Sequence, residues 1–333
     1  MGILEAARLG RLTRAASQLA LLRAGVAAGV FDALAEPKSA EELAAELAAP
    51  PDLCAALLRA AQASGFAVRR GERYRRSRLL DWLLASPEAE AARAMLDQAA
   101  LSYVPSLASL PQLLRGAPRP AWGGAEEAAR VARASRLLEG RAIAALDRVP
   151  GARNARRIID VGCGEGGRLA ALLGHYRDAL GFGVEREAAV AERARRRLVA
   201  AQVHRRAEIW VGDVLGPDLP PGEWDLALLE QVLHYFTESD RDALFARLRS
   251  RLAPGGVLAI QTSVLEDGLL ARATGMAASA ALFDLFLRCH GNLSGLPDPT
   301  DLLVSLRTAG FARVGSVSIV PGGALRYVWA RRG

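Results

Sequence analysis

Residues 156–167 read RRIIDVGCGEGG. Ile158, Ile159 and Val161 form a short apolar run bounded by glycines, the pattern of a buried parallel strand. Asp160 sits at the end of that run, and Gly162, Gly164 and Gly166 follow at two-residue spacing. From Arg168 to Tyr176 the chain returns to helix-forming residues. A strand that turns through glycines into a helix lets backbone N–H groups approach a ligand closely. Gly162, Gly164 and Gly167 also satisfy GxGxxG, so a dinucleotide site has to be weighed. The motif is weak alone, and the residues beyond it decide the matter.

The chain has 333 residues, enough for two domains or for one domain with a helical extension. Half of it is hydrophobic, which permits a sizeable core. The formal charge of +7 allows an anionic partner, but Lys38 is the only lysine among 43 basic residues. Such a bias, with abundant alanine and glycine, points to genome composition more than to nucleic-acid binding. Cys54, Cys163 and Cys289 are far apart and form no CxxC. That pattern predicts no structural metal, a reducing compartment and a cytoplasmic protein. Arg8, Arg11, Arg14 and Arg23 interrupt the apolar residues of the N-terminus, which argues against a signal peptide. No long uncharged apolar run predicts a membrane span.

Residues 3–34 carry helical periodicity through Leu9, Leu12, Ala16, Leu19, Leu22, Val26, Val30 and Leu34. The N-terminal part is apolar on more than one side, which predicts burial against a second copy of the chain. Residues 39–76 read as a winged helix. Ser39 and Glu42 form a capping box opening a helix to Leu47, and Pro50-Pro51 breaks it. A second helix starts at Asp52, and Phe66–Val68 and Tyr74 flank a turn at Gly71. That second helix exposes one arginine, Arg59, and few groups able to read bases, so a structural role is favoured. Residues 78–149 are mostly helical, with a loop at 116–124 where prolines and glycines gather. Strand candidates follow at 156–161, 180–185, 207–211, 224–229 and 256–262, separated by helical stretches at about 167–176, 187–200 and 238–252. This alternation predicts a parallel, doubly wound α/β sheet. A helix at 300–309 and runs at 313–319 and 325–330 close the chain, the last two tightly joined and therefore antiparallel.

Two acidic residues end strands after the glycine loop. Glu185 ends GFGVE, 23 residues beyond Gly162, where a carboxylate can accept both hydroxyls of a ribose. Asp213 ends IWVGD, where one can accept an exocyclic adenine amine. WDLALLEQVLHYF (224–236) then runs from a buried strand into a polar corner, and LAPGG (252–256) turns a helix into the next strand.

DVGCGEG, Glu185, GDV, WDLALLEQVLHYF and LAPGGVLAI, in this order and spacing, resemble the class I S-adenosylmethionine-dependent methyltransferases. Nothing comparable suggests hydride transfer, so the dinucleotide reading recedes. More narrowly, LLRAGVAAGVFDAL, SAEELAAELAAPPDLCAALLRAAQASGFAVRRGERYRRS and GFARVGSVSIV resemble the small-molecule O-methyltransferases with an N-terminal dimerisation and winged-helix domain. The resemblance implies a Rossmann-like methyltransferase domain, doubly wound and mostly parallel, over residues 151–333. It also implies a mainly helical dimerisation domain over 1–85, a helical linker and substrate lid over 86–150, and a homodimer. S-adenosyl-L-methionine would be the cofactor, held by Asp160, Gly162, Gly164, Gly166, Glu185, Asp213, Val214 and Glu230. Arg136 would bind the methionine carboxylate or an acidic substrate. Tyr103, Trp122, Tyr235, Gln261, His290 and Asn292 would line the acceptor, and His234 would be the general base, because imidazole titrates near working pH.

Three departures from the family pattern bear on His234. Tyr235 stands where an aspartate follows the histidine, Gln261 replaces an acidic residue, and no carboxylate falls around Gly295-Leu296. The imidazole would lack orienting anions, and an already ionised acceptor would need little base, leaving catalysis to alignment and desolvation. The expected reaction is methyl transfer to a hydroxyl or carboxylate oxygen of a small secondary metabolite. The alternatives are transfer to nitrogen, carbon or a peptide carboxylate on the same fold, and a non-catalytic winged-helix ligand sensor that binds DNA.

Overall fold

The computed structural model describes residues 2–216, 219 and 222–333. The chain divides into two compact units, Met1–Pro105 with Arg133–Leu137, and Ser106–Ala132 with Leu138–Gly333. The stretch 86–150 is shared between them.

The N-terminal unit opens with a helix over Ile3–Ala27. The periodicity expected to run on to residue 34 is interrupted at Gly29, whose φ of 70° ends the helix before a short turn over Val30–Ala33. Phe31 and Leu34 then enter a core with Leu43, Leu58, Tyr74 and Leu80. Phe31 meets Phe66 edge-on at 6.2 Å, a favourable aromatic geometry. The helix Ala40–Leu47 starts with the expected box: Ser39 Oγ accepts from the Glu42 N–H at 3.2 Å, and Glu42 accepts from the Ser39 N–H at 2.8 Å. The second helix, Pro51–Ala63, starts one residue earlier than expected, with Pro51 in the first turn, where its missing N–H costs nothing. Strands β1 (Ala67–Arg70) and β2 (Arg73–Arg76) form an antiparallel wing around Gly71.

The second unit is built on a seven-stranded sheet. Its strands are β3 (Arg157–Val161), β4 (Leu180–Glu185), β5 (Ala207–Val211), β6 (Trp224–Glu230), β7 (Leu252–Ser263), β8 (Arg313–Ser318) and β9 (Leu325–Arg331). The order is β5-β4-β3-β6-β7-β9-β8. The first five strands are parallel, and β9 pairs antiparallel with both β7 and β8. Side chains alternate between two cores, as the two-residue period requires. Ile158, Leu226, Leu228, Val257 and Ala259 pack with Leu169 and Leu173 on one face. Ile159, Val161, Ala227, Leu229 and Ile260 pack with Leu244, Leu248 and Leu302 on the other.

Two features depart from the sequence reading. Strand β7 begins at Leu252, inside the expected turn, because LAPGG is taken into the sheet as an irregularity. The register with β6 shifts between Trp224 and Leu226, and Gly255 has φ 76°. A Cβ on Gly256 would lie 2.7 Å from the Trp224 carbonyl oxygen, so only glycine passes there. Residues 263–299, unassigned from sequence, contain helices over Leu269–Ala273 and Met276–Arg288. Among the described residues no helix is long and apolar enough to cross a membrane.

Candidate active site

Strand β3 delivers the chain into a loop where Gly162, Gly164 and Gly166 have φ of 73°, 54° and 72°. This left-handed backbone is cheap only for glycine. A Cβ on Gly162 would stand 2.7 Å from Val232 Cγ1, whereas one on Gly164 would meet nothing within 4 Å. Glycine is therefore needed at 162 for packing inside the protein, and at 164 it leaves open space in front of the backbone. The Gly162 and Cys163 N–H groups donate to the Val184 carbonyl at 2.8 and 3.1 Å, tying the loop to the end of β4.

Glu185 ends β4 and supports the loop directly. One carboxylate oxygen accepts from the Gly164 N–H at 3.1 Å, and the other accepts from the Glu187 N–H at 2.9 Å. Asp213, just beyond β5, accepts from the Leu215 N–H at 2.9 Å beside the buried Val214. Among the described residues neither carboxylate has an ion-pair partner. A glycine cradle flanked by two uncompensated carboxylates at neighbouring strand tips fits a nucleoside that offers hydroxyl and amine donors.

A buried polar cluster lies on the other side of the loop. Arg168, in the first turn of the helix Gly167–His175, is ion-paired through Nε with Glu230 at the end of β6. Tyr327 of β9 donates its hydroxyl to the same carboxylate. Gln261 of β7 receives a 3.5 Å contact from Arg168 Nη2, and the Glu139 carbonyl receives a 3.4 Å contact from Nη1. Burial, then Glu230, pushes the Asp160 carboxyl up to about 8, against the pull of Arg168. Burial and Glu230 also raise the Tyr327 phenol well above its ordinary range, so it remains a donor. Glu230, at the tip of β6 where the resemblance implies a cofactor ligand, is thus engaged by both Arg168 and Tyr327.

An aromatic cluster follows directly after β6. His234 lies against Tyr235 at 4.6 Å and edge-on to Phe283 at 6.1 Å. Trp122 meets Phe286 at 4.9 Å and His290 at 5.1 Å. Its backbone is clamped by Asn292, which accepts from the Trp122 N–H at 2.7 Å and donates to the Trp122 carbonyl at 2.8 Å. Trp122 also donates to the Tyr235 phenol, which burial nevertheless raises. His290 Nδ1 donates to the Phe286 carbonyl at 2.8 Å, leaving Nε2 to accept from Ser106 at 3.4 Å. His234 has no hydrogen-bonded side chain among the described residues. Burial, with Arg241 nearby, takes its imidazole down to about 4. That guanidinium is itself anchored on the Leu233 and Gly295 carbonyls at 3.2 and 3.3 Å.

Trp122, His234, Tyr235, His290 and Asn292 are therefore brought together by the structure. Tyr103 and Arg136 belong to the N-terminal unit. Tyr103 accepts from Gln98 at 3.1 Å, and burial pushes its phenol up to about 12. Arg136 is engaged with Glu90 at 2.7 Å. Sequence reasoning missed Arg168, Tyr327 and Gln231. The last has φ 55°, a left-handed backbone at a non-glycine residue where the chain leaves β6, the kind of local strain that gathers at functional sites. The one available signal was a cation directly after the glycines in an otherwise apolar helix. Among the described residues no group of three or more His, Cys, Asp or Glu could hold a metal ion.

A methyltransferase-domain model matches residues 158–256, and an O-methyltransferase dimerisation-domain model matches residues 11–86. The chain is 36% identical over 118 residues to a trans-aconitate 2-methyltransferase from Methylobacterium nodulans, a match covering 35% of this chain and 41% of that protein. The chain thus spans less than half the length of the curated relatives it matches. An O-methyltransferase family protein from Burkholderia thailandensis superposes with a TM-score of 0.79 at 23% identity, covering 100% of this chain and 98% of the other. Human N-acetylserotonin methyltransferase, solved in complex with SAM, gives 0.79 at 20% identity with full coverage of both. The chain thus carries an O-methyltransferase dimerisation domain followed by a methyltransferase domain built on this glycine-loop sheet.

Proposed function

We propose that this protein is an enzyme that methylates an oxygen of a small molecule, with S-adenosyl-L-methionine as donor. The observation that carries this reading is the glycine cradle at residues 162–166, flanked by the unpaired carboxylates of Glu185 and Asp213. When bound, the cofactor supplies a methyl group on a sulfonium, which transfers by in-line displacement and needs no metal. Glu185 would take the ribose hydroxyls, and Asp213 with Val214 the adenine. Trp122, Tyr235, His234 and His290 offer flat, mostly apolar surfaces that would orient an acceptor and exclude water from it.

The electrostatics bear on the acceptor. His234 is neutral through the physiological range, so it can accept a proton, but with a pKa near 4 it is a weak base. Such a base suits a carboxylate or an acidic hydroxyl, which arrives ionised or nearly so. The dimerisation domain supports a homodimer, and residues 86–150 would serve as linker and substrate lid. Three buried, unpaired cysteines are consistent with a cytoplasmic enzyme.

Titration calorimetry with S-adenosylhomocysteine, and mass spectrometry of methyl transfer to a panel of hydroxyl and carboxylate acceptors, test the proposal. Loss of a hydrogen bond to a charged group costs about 1.5–3 kcal/mol. Glu185→Ala and Asp213→Ala should each weaken binding by about tenfold or more. Unchanged affinity in both variants would remove these roles. No binding by the parent chain would overturn the whole reading.

A further inference from the structure

We infer that Arg168 and Glu230 form the subsite for the amino-acid end of the cofactor, with the guanidinium taking its carboxylate and Glu230 its ammonium. The inference rests on the S-adenosylmethionine reading above. Sheet order sets the direction. In β5-β4-β3-β6-β7 the chain order reverses between β3 and β6, and ligands of such sheets lie across the strand tips at that point. Glu185 and Asp213 mark the nucleoside end at the tips of β4 and β5. The rest of the ligand must then cross the glycine loop toward β6 and β7. The side chains waiting there are Arg168, Glu230 and Gln261.

Their chemistry matches a zwitterion. A free amino-acid terminus carries one carboxylate and one ammonium on the same carbon. Arg168 and Glu230 present the complementary charges in contact with each other, with side chains 13% and 9% exposed. The bonds of Arg168 are also uneven. Nε is held tightly by Glu230, whereas Nη1 and Nη2 reach the Glu139 carbonyl and Gln261 at only 3.4 and 3.5 Å, the far limit of hydrogen bonding. A carboxylate meeting those two groups would replace long neutral contacts with short, charge-assisted, bidentate ones. Arg136, the alternative cation, is already paired with Glu90 in the N-terminal unit. A buried ion pair also adds little stability net of its desolvation, so its presence here calls for a role other than holding the fold.

The test compares two ligands by titration calorimetry. S-adenosylhomocysteine carries the amino-acid end, and 5′-methylthioadenosine has the same nucleoside and thioether without it. Arg168→Met should weaken the first by about ten- to hundredfold and leave the second unchanged. Glu230→Gln should show the same selectivity with a smaller loss, and Arg168→Lys should recover part of the affinity by restoring charge without the planar fork. Binding of 5′-methylthioadenosine reports that the cradle is intact. If Arg168→Met does not fold, Arg168→Lys and Glu230→Gln carry the comparison. Equal losses for both ligands, or no loss for either, would overturn the assignment and leave Arg168 structural. A parent chain that binds neither ligand would instead refute the cofactor reading itself.

Discussion

His234 has the position expected of a general base and the wrong surroundings for a strong one. It follows the end of β6 by four residues, among aromatic rings, but the charge that acts on it is the Arg241 guanidinium, and among the described residues no carboxylate bonds to it. Burial, and then the Arg241 cation, disfavour the imidazolium, which is the form a base must reach during the reaction. Its folded pKa of about 4 lies below the ordinary 6.5, so the unfolded chain takes up a proton that the folded protein refuses. Stability is therefore lost as pH falls from 6.5 toward 4, is fully lost below 4, and is unaffected above 6.5. A histidine-selective NMR titration should show one ring with its midpoint near 4, absent in His234→Ala. Kinetically, His234→Ala should lower kcat by less than about tenfold in single-turnover measurements and leave cofactor affinity unchanged. A loss of a hundredfold or more, with an altered pH–rate profile, would make His234 the base after all. Asp160 is displaced the opposite way: burial, then Glu230, pushes its carboxyl up to about 8.

Elements were legible in the sequence wherever a local signal sufficed. Strand β3 was announced by IIDV before glycines, β4 and β5 by short apolar runs that end in Glu185 and just before Asp213, and the first winged-helix segment by Ser39 and Glu42. The acidic strand tips beside the glycine loop were readable for the same reason, because spacing alone places Glu185 at the end of β4 and Asp213 just beyond β5. The remainder depends on which strands become neighbours. Arg168 and Glu230 are 62 residues apart and meet because β3 lies beside β6, and Tyr327 joins them because β9 inserts beside β7. No periodicity carries that information. The helix Met276–Arg288 was missed because MAASAALFDLFLR has no clean polar face, being used by aromatic neighbours through Phe283 and Phe286. The glycine loop itself yields a prediction that separates folding from binding. Gly162→Ala adds a Cβ 2.7 Å from Val232, on top of the cost of about 1–2 kcal/mol for a left-handed alanine, and should lower the denaturation midpoint substantially. Gly164→Ala bears only that conformational cost, because its Cβ enters open space. If the open space belongs to the ligand, Gly164→Ala should keep most of its stability and bind S-adenosylhomocysteine much more weakly. Denaturant titrations and calorimetry on the two variants check this, and full affinity in Gly164→Ala would move the ligand away from the loop.

At the scale of the whole molecule, the decisive feature is apolar surface that one copy of the chain leaves uncovered. In the helix Ile3–Ala27, Leu4, Leu9 and Leu12 are 75%, 55% and 70% exposed, whereas Leu22 and Val26 near its far end pack on the N-terminal core. Scattered exposed leucines are ordinary, but three along the first turns of one helix form a stripe that nothing among the described residues covers. The dimerisation-domain match begins at residue 11, within the same helix. A two-fold interface uses the same patch on both copies, so each substitution acts twice. Burying one leucine side chain contributes about 1.5–3 kcal/mol. Leu9→Glu with Leu12→Glu therefore removes about 6–12 kcal/mol from a two-fold contact, before adding the repulsion of four carboxylates. Six kcal/mol alone carries a nanomolar dimer beyond the micromolar range. Because neither leucine belongs to the core around Phe31 and Leu58, the N-terminal unit should keep its fold. Sedimentation equilibrium should find the parent dimeric and the double variant monomeric at micromolar concentration, with unchanged helical circular dichroism. A double variant that sediments as a dimer would place the interface elsewhere on the chain, and a parent that is monomeric at that concentration would refute the homodimer.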